Sequence, residues 1–403
     1  PGYYRNELDK YNVKVETTAT PRTGLSRYTF PEGQAQILLN LGLGLTNETG
    51  GMLKVVADDE VEGFKMLGTF CYQPEDVRPV YFVAKLSKKA KTAGAWKKMP
   101  KYQGVEAEWV GYNNSYKPYP NYRQEIAGDD IGAYFQFDTQ ENEEIQVKVG
   151  ISYVSIENAR ANLKAEQPNF DFDRTKTKAE QQWQHLLSRV QVQGKGENKV
   201  IFYTGLYHSL LHPNIIQDIN GDYPLMGQPG FGNTQGKNRY SVFSLWDTNR
   251  NLHPLLSLLY PEIQSEMVNT MVDMAKESGW LPKWELLGME TEVMVGDPAT
   301  PVIADTYLRG IRDFDVASAY GYAKKAALDT ENNLLRPENK QYSELGYVAV
   351  DGEGTWDGTV STSLEYYIAD WNLAQLAKEL GQQNDYLHFL KRSMNYKKLF
   401  DTR

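Results

Sequence analysis

The sequence predicts a multidomain β + α fold, an antiparallel β-sandwich followed by an α/α toroid. Three observations support this prediction. Apolar residues recur with a period of two from about residue 11 to residue 153, and the period becomes helical near residue 155. The length of 403 residues also exceeds that of one compact domain. We therefore expect a sandwich over 1–154, linker helices over 155–196 and part of a toroid over 197–403.

The period-two runs are typical of half-buried strands. Clusters of Gly, Pro and Asn separate them at the intervals expected of an antiparallel sandwich. The single cysteine, Cys71, falls in one such run and is predicted to be a buried structural thiol. The predicted strands include Val13–Thr17, Ile37–Leu41, Met52–Ala57, Phe64–Tyr72, Val80–Leu86, Ile131–Phe137 and Ile145–Tyr153.

Helical spacing dominates the second part of the chain. Ala179, Trp183 and Leu186 predict a linker helix that ends before Gly194 and Gly196. Further helical windows lie at 198–212, 254–278, 299–311, 314–328, 360–380 and 383–400. Because no 34-residue repeat is visible, a closed toroid or a bundle of hairpins is favoured over a stacked helical repeat.

The window at 360–380 is the clearest of these helices. One face carries the apolar residues, and Gly381 stands where a C-terminal cap belongs. The residues of that face are Val360, Leu364, Tyr367, Ile368, Trp371 and Ala374.

The overall charge excludes some classes of partner. A net charge of -9 repels phosphate backbones, so nucleic acid is not expected as a partner. No apolar run approaches the roughly 20 residues of a membrane span. One basic stretch is predicted to be the solvated edge of a hairpin, and its lysines are Lys88, Lys89, Lys91, Lys97, Lys98 and Lys101.

Three connecting segments share an unusual content of tryptophan, carboxylate and glycine: 244–250, 279–297 and 351–358. A pyranose presents an apolar C–H face that stacks on an indole, and its hydroxyls bind carboxylates or cations. Trp246 with Asp247, and Trp284 with Lys283, suit such a ligand. The three segments therefore predict a polar cleft that binds a carbohydrate.

Cleavage of a glycosidic bond requires two carboxyl groups on opposite sides of the sugar. The loop carboxylates that could serve are Asp247, Glu285, Asp297, Glu353 and Asp357. An alternative interpretation is that Asp247 and Asp357 cap helices. A second is that Trp246, Trp280, Trp284 and Trp356 are core residues.

The segment 218–222 begins like a calcium-binding loop, with Asp218, Asn220 and Asp222. Pro229 stands where an EF-hand needs its bidentate glutamate. The segment is therefore predicted to be a turn.

Several longer strings carry a resemblance to a known family. They are YSVFSLWDTNRNLHP at 240–254, GWLPKWEL at 279–286 and MVGDP at 294–298, with PGYY at 1–4 and SYVSIENARANL at 152–163. In these strings, and in order along essentially the whole chain, the sequence resembles glycoside hydrolase family 92.

The resemblance implies an N-terminal β-sandwich joined to an (α/α)6 toroid. It also implies calcium-dependent, inverting removal of terminal α-linked mannose from mannose-containing glycans by a bacterial exo-α-mannosidase, with α-1,2 linkages as the expected preference. Export to the periplasm or cell surface follows from the same resemblance. The residues it places around the terminal mannose are Trp246, Asp247, Arg250, Lys283, Trp284, Glu285 and Asp297.

The resemblance also implies what these strings do not contain. The general acid, the base and most calcium ligands of the family are expected beyond Arg403, and the start of the sandwich before Pro1 is expected to be missing. We therefore expect little activity from this chain alone. A non-catalytic glycan-binding protein and a related hydrolase or phosphorylase for another α-linked sugar are the alternatives. The sequence carries no signal of oligomeric state.

Overall fold

The computed structural model describes residues 1–42, 50–68, 77–99, 115–194, 196–350 and 358–400. The chain divides into two compact units, one of Pro1–Gln191 with Gln217–Tyr223 and one of Val192–Ile216 with Pro224–Arg403. The expectations for Cys71, Glu353, Trp356 and Asp357 lie outside the described residues. The predicted domain bounds stay a prediction.

The first unit contains two antiparallel sheets. One has the strand order β1-β2-β3-β12-β7-β6-β5-β10 and the other the order β4-β11-β8-β9. The strands are β1 (Tyr4–Leu8), β2 (Val13–Ala19), β3 (Thr23–Phe30), β4 (Gly33–Asn40), β5 (Gly51–Ala57), β6 (Glu60–Gly68), β7 (Val77–Leu86), β8 (Thr92–Lys98), β9 (Tyr116–Pro120), β10 (Ile126–Ala127), β11 (Ile131–Thr139) and β12 (Glu143–Ser152).

The two sheets share one apolar core. Leu53 and Phe82 from the larger sheet and Ile131 and Phe135 from the smaller one belong to the same buried cluster. On β11 the alternation seen in the sequence places the apolar side chains of every second residue, from Ile131 to Phe137, in this core, as expected for a strand with one face on the core. The predicted β-sandwich is therefore confirmed.

A close approach between strands explains one glycine of the smaller sheet. Gly132 on β11 lies opposite Trp96 on β8. A Cβ atom at position 132 would lie 2.4 Å from the indole ring, so only glycine leaves room for the ring there.

Lys88, Lys89 and Lys91 are at least partly exposed, as predicted, but they are not the edge of a hairpin. Lys97 and Lys98 lie on β8, and Lys101 lies outside the described residues. β7 belongs to the eight-stranded sheet and β8 to the four-stranded sheet, so the segment between them crosses from one sheet to the other. Lys88 pairs with Glu143 at 2.6 Å and Lys91 with Asp138 at 2.7 Å. Charge and solvation were readable from the sequence, whereas the strand pairing depends on distant residues.

Two helices of the first unit pack on its larger sheet: α1 (Ile156–Glu166) and α2 (Phe172–Leu187). The hydroxyl of Ser155 caps α1 by accepting a hydrogen bond from the Asn158 peptide N–H at 3.1 Å. Ala159 and Leu163 pack against Val83 of the sheet. Both lie in the stretch 155–196 that was predicted to form linker helices, but only α2 was located individually, because α1 has just three buried positions.

The turn predicted at 218–222 is present, with hydrogen bonds from the Gly221 N–H to the Asp218 carbonyl and from the Asp218 N–H to the Asp222 carbonyl. The Asp218 carboxylate is buried and accepts hydrogen bonds at 2.6–2.8 Å from Ser152, Asn158 and Asn162. Burial raises the pKa of Asp218, and these three hydrogen bonds oppose the shift. One carboxylate thus attaches the turn to the end of β12 and to α1.

The second unit is mainly helical and contains short strands at its loops. Its helices are α3 (Glu197–His208), α4 (Leu245–Thr248), α5 (Leu252–Leu259), α6 (Pro261–Ser278), α7 (Ala299–Leu308), α8 (Val316–Leu328), α9 (Asn339–Leu345), α10 (Thr359–Glu379) and α11 (Gln383–Ser393), followed by a 3-10 turn over Met394–Leu399. Its strands include β13 (Asn214–Ile215), β16 (Tyr240–Ser241), β17 (Phe243–Ser244), β18 (Trp284–Leu286) and β19 (Met289–Glu290), and two further short strands are β14 (Asp222–Pro224) and β15 (Phe231–Asn233).

The predicted helical windows correspond to helices, but one window is split, and two short helices, α4 and α9, were not predicted. The window at 254–278 divides into α5 and α6, because Pro261 has no N–H to continue α5 and instead starts α6. α9 was not predicted, since it is only seven residues long. A helical domain after the sandwich is confirmed. None of the described helices is long and apolar enough to cross a membrane.

α10 was correctly predicted as a helix, but of the six residues on its predicted apolar face only Tyr367 and Ala374 are buried. Val360, Leu364, Ile368 and Trp371 are 40–55% exposed within this chain. The buried side instead carries a mixed set of residues: Thr362, Ser363, Tyr366, Tyr367, Asp370, Leu373, Ala374 and Ala377. Buried hydrogen bonds and an ion pair compensate the polar members of this set, which a hydrophobicity pattern does not register.

His253 on α5 is part of a buried polar chain in the helical unit. Its Nδ1 lies 3.0 Å from Gln264 Oε1, and the Gln264 amide donates to Thr306 at 2.9 Å. Nε2 of His253 has no partner among the described residues. Burial lowers the pKa of His253 from 6.5 to about 4, because the charged ring would be desolvated.

We predict that Asp218→Ala lowers the unfolding free energy of the sandwich unit by about 3 kcal/mol, because three buried donors lose their acceptor. Urea unfolding measures this change. Asp173→Ala is the control, since Asp173 is 75% exposed and pairs with Arg27 at 3.2 Å. A control effect below about 1 kcal/mol is expected. Equal effects of the two substitutions would contradict the role of Asp218.

We also predict that His253 makes the unfolding free energy of the helical unit depend on pH. Its folded-state pKa lies below the unfolded value, so stability is highest above pH 6.5 and falls progressively as the pH decreases from 6.5 to about 4. The loss by pH 4 is about 3 kcal/mol. His253→Asn should show a correspondingly smaller decrease in stability between pH 7 and pH 4. The same decrease in both proteins would rule out His253 as its source.

Candidate functional site

A small three-stranded sheet brings two of the tryptophan-containing loops together. β17 pairs with β18, placing Ser244 opposite Trp284 and Phe243 opposite Glu285, and β18 pairs with β19. The peptide N–H of Leu245 also donates to the carbonyl of Lys283 at 3.1 Å. The segments 244–250 and 283–285 are therefore neighbours, although about 40 residues separate them in sequence.

Asp247 lies in the first turn of the short helix α4 and is exposed. Ser244 occupies the N-cap position of α4 and Asn251 that of α5, so Asp247 caps neither helix. The capping interpretation of Asp247 is wrong. Its side chain is exposed, and its carboxylate makes no hydrogen bond or ion pair to the described residues.

Trp246 and Arg250 form a pair on the same loop. The guanidinium carbon of Arg250 lies 5.3 Å from the centroid of the Trp246 ring, within the range of a cation–π contact. The ring is half-buried, so the interpretation of Trp246 as a pure core residue does not hold. Its Nε1 has no acceptor among the described residues.

Arg250 also pairs with Glu365 of α10, with 2.5 Å between Nη2 and Oε1. The Glu365 side chain is 14% exposed, whereas that of Arg250 is 42% exposed. Burial raises the pKa of Glu365, and Arg250 opposes this shift. Glu365 was not predicted as a site residue, because 115 residues separate it from Arg250.

Glu285 is fully buried beneath the loop. Oε1 accepts hydrogen bonds from Ser241 Oγ at 2.8 Å and from the Gly288 N–H at 2.6 Å, and Oε2 accepts one from the Val242 N–H at 3.1 Å. Burial raises the pKa of Glu285 to about 7, while the hydrogen bonds lower it. Its carboxylate organises the loop from inside, and a direct contact between Glu285 and a ligand stays a prediction.

Glu290 plays a similar part for Lys283 and Trp284. Its two oxygens accept hydrogen bonds from the peptide N–H groups of Lys283 at 2.7 Å, of Trp284 at 2.9 Å and of Glu292 at 3.1 Å. Burial raises the pKa of Glu290, and these bonds oppose the shift. The backbone of 283–284 is thereby fixed by a side chain only six or seven residues away.

Lys283 is 2% exposed, and its Nζ donates to the carbonyl of Met294 at 3.3 Å. Burial lowers the pKa of Lys283, while the negative charges of Glu290 and Asp297 raise it. Met294 has a left-handed backbone with φ +63°, which costs free energy in a residue with a side chain. Lys283 therefore joins the segments 283–285 and 294–297.

Asp297 is the end of a buried ionic cluster, defined here as Asp297, Arg336, Asp370 and Arg392. Nη2 of Arg336 donates to both oxygens of Asp297 at 3.1 and 3.0 Å, and Nη1 donates to Asp370 at 2.8 Å. Asp370 also accepts bonds from Arg392 at 2.5 and 2.6 Å and from Tyr342 at 2.7 Å.

The ionic cluster balances two carboxylates with two guanidinium groups. Burial raises the pKa of Asp297, although Arg336 opposes it, whereas the two arginines hold the pKa of Asp370 below its ordinary value despite complete burial. Arg336 itself is fully buried. Both aspartates are thus engaged by arginine, and Asp297 is buried rather than exposed.

The structure brings the predicted residues into one region of the helical unit, at different depths. Trp246, Asp247 and Arg250 are at least partly accessible, and Trp284 is half-buried. Lys283, Glu285 and Asp297 are buried. Sequence reasoning missed Glu290, Arg336 and Glu365. A usable signal for them was the presence of charged residues inside otherwise apolar windows, as at Asp370 in α10.

The described residues do not fit a calcium site. Calcium takes six to eight oxygen ligands, several of them carboxylates. In the described part of the chain, no group of three or more His, Cys, Asp or Glu side chains is close enough to hold a metal ion. The oxygens of Glu285, Glu290 and Asp297 are already engaged by N–H or O–H donors.

We predict that Arg336→Met lowers the unfolding free energy of the helical unit by about 3–5 kcal/mol, because a buried carboxylate loses its counter-charge. The loss should be larger at pH 7 than at pH 4, where Asp297 can take up a proton. Arg309→Met is the control, since the Arg309–Asp305 pair is exposed and should contribute less than about 1 kcal/mol. Denaturant unfolding of both variants measures this change. Equal losses of unfolding free energy in the two variants would contradict the prediction.

Comparison with known proteins shows matches along the chain. Residues 1–152 match the glycosyl hydrolase family 92 N-terminal domain, and residues 158–403 match the glycosyl hydrolase family 92 catalytic domain. An uncharacterized secreted glycosidase of Arthroderma benhamiae is 23% identical over 431 residues, covering 99% of this chain and 49% of the relative.

Solved structures give the same result. A family GH92 alpha-mannosidase from Bacteroides thetaiotaomicron has a TM-score of 0.86 and 32% identity, over all of this chain and 51% of its own, and a second structure of it contains mannoimidazole. A family GH92 inverting mannosidase from the same species has a TM-score of 0.84 and 23% identity, over all of this chain and 51% of its own, which supports the fold.

This chain therefore spans about half the length of the relatives it matches. The family models together cover its sandwich and its helical unit in the order predicted from the sequence. On these matches, the chain belongs to glycoside hydrolase family 92.

Proposed function

We propose that this chain binds the terminal α-linked mannose of a glycan, as part of an exo-α-mannosidase that acts by inversion and prefers α-1,2 linkages. The observation that carries the proposal is the convergence of 244–250 and 283–285 across β17 and β18. The loop 244–250 carries an indole, a carboxylate and a guanidinium within five residues, and these groups suit the apolar face and the hydroxyls of a pyranose.

Each accessible side chain has a definite part in this proposal. Trp246 stacks on the C–H face of the sugar, and Asp247 accepts hydrogen bonds from its hydroxyls. Arg250 donates to a sugar oxygen. Lys283, Glu285 and Asp297 hold the loops from below, because they are buried and engaged with protein partners.

We propose further that the general acid and the general base lie outside the described residues. The two carboxyl groups of an inverting enzyme stand roughly 6.5–9.5 Å apart, with a water molecule between the base and the sugar. Glu285, Glu290 and Asp297 do not suit these roles, since N–H and guanidinium donors already engage their oxygens. The ligands of the calcium ion that the family resemblance implies are proposed to lie outside the described residues as well.

Export from the cell is also part of the proposal. A glycan substrate of this kind is carried by extracellular or cell-surface material, and the Arthroderma relative is described as secreted. We propose the periplasm or the cell surface as the location of this protein. Localisation of a tagged protein by cell fractionation measures it, and recovery only in the cytoplasm would contradict it.

We predict that Asp247→Ala weakens binding of methyl α-D-mannopyranoside by at least about tenfold, because a hydrogen bond to a charged group contributes about 1.5–3 kcal/mol. Isothermal titration calorimetry measures the affinity. The melting temperature should be nearly unchanged, since Asp247 is exposed and makes no cap. Asp273→Ala, an exposed aspartate of α6, is the control and should bind like the parent protein. Parent-like affinity in Asp247→Ala would remove Asp247 from the site.

Mannose release from α-1,2-mannobiose tests the catalytic part of the proposal. We expect this chain to bind the disaccharide without releasing mannose above the uncatalysed background. Release by this chain alone would overturn the placement of the acid and the base. Equal binding of α-linked glucosides and mannosides would favour a related hydrolase or phosphorylase for another sugar.

A further inference from the structure

Glu365 stands where three segments of the helical unit meet. It projects from α10 and pairs with Arg250 of the loop that carries Trp246. It also contacts the turn before Asp297: a Cβ atom added to Gly296 would lie 2.9 Å from the Cβ of Glu365. The negative charge of Asp297 acts on Glu365 as well. One side chain therefore touches the loop 244–250 and the turn 294–297 together.

The position of Glu365 is well fixed. Its side chain is 14% exposed, and it lies on a helix of 21 residues whose buried side includes Asp370 of the ionic cluster. Gly296 has φ +91°, a conformation that glycine adopts readily and that brings its backbone against Glu365. A larger residue at position 296 would both strain the turn and displace Glu365.

Arg250 has no comparable anchor of its own. Its side chain is 42% exposed and projects from a short loop. An arginine that is free to move loses about 2 kcal/mol of rotamer entropy when it is fixed in one conformation. The contact with the Trp246 ring at 5.3 Å contributes only about 0.5–1 kcal/mol at an exposed position. The ion pair with the fixed Glu365 therefore decides where the guanidinium lies.

We propose that Glu365 is a positioning residue that holds Arg250 beside the Trp246 indole, where its guanidinium can donate to an oxygen of a pyranose that stacks on the ring. The placement of Arg250 by Glu365 follows from the distances between Glu365, Arg250 and Trp246. The part that names a pyranose rests on the proposed function. Glu365 does not contact the sugar and acts through Arg250.

Glu365→Gln is the decisive variant, because it keeps the size and packing of the side chain and removes only its charge. A merely structural role would be preserved by glutamine. Asp305→Asn is the matched control: it removes the carboxylate of another arginine pair in the same unit, and Arg309 there is 43% exposed, close to the 42% of Arg250.

The first readout needs no sugar. Quenching of tryptophan fluorescence by acrylamide is measured with and without Trp246→Phe in each background, and the difference reports Trp246 alone. We expect quenching of Trp246 to increase in Glu365→Gln, because the guanidinium no longer covers the ring. No change is expected in Asp305→Asn, and the melting temperatures should agree. Unchanged quenching of Trp246 in Glu365→Gln would overturn the proposal whatever the sugar data show.

The second readout is the affinity for methyl α-D-mannopyranoside. We expect it to fall by about tenfold in Glu365→Gln, comparable with the loss of one charged hydrogen bond. If quenching changes and the parent protein binds no sugar, the positioning role is supported and the proposed function fails. If quenching changes while parent and variant bind the mannoside equally, the link between Glu365 and the sugar is overturned.

Discussion

The ionic cluster of Asp297, Arg336, Asp370 and Arg392 is the interaction on which the rest of the helical unit depends. Desolvating a charge is costly, and four buried charges are tolerable only if each has an opposite partner and its hydrogen bonds. Arg336 meets this requirement by donating to both aspartates, and Arg392 and Tyr342 complete Asp370. The cluster connects the start of α7 with α10 and α11.

The loops of the candidate site are stabilised in a related way. Buried carboxylates there accept the hydrogen bonds that backbone carbonyls accept in helices and sheets. Glu285 and Glu290 each accept peptide N–H groups that no helix or sheet would satisfy. This support allows unusual backbone conformations to persist, notably Val242 at φ +71°, an outlier for a β-branched residue. The exposed residues Asp247 and Arg250 are thus carried by loops with a rigid interior.

The charged residues of this region are of two kinds, which differ in how deeply they are buried. Buried carboxylates are occupied by protein donors and shape the loops, whereas Asp247 is accessible and makes no hydrogen bond to the described residues. Family membership by itself does not reveal this division, because a motif names both kinds of residue alike. Burial and hydrogen bonding separate the exposed members of these strings, such as Asp247, from the buried members, such as Glu285 and Asp297.

The sequence by itself determined the order of a β domain and a helical domain, most strands and helices, and the segments that form the candidate site. Side-chain periodicity is a local property, so alternation in β11 and helical spacing in α10 are visible without a structure. Motif strings likewise need no contacts to be recognised.

Only the tertiary structure decided the pairings between distant residues. Arg336 lies 39 residues from Asp297, and Glu365 lies 115 residues from Arg250, so no local pattern relates them. The same limit explains why the basic stretch was assigned to a hairpin and why the apolar face of α10 was expected to be its buried side. Hydrophobic patterns record which side chains avoid water, whereas buried ion pairs and hydrogen bonds depend on partners that the fold alone brings together.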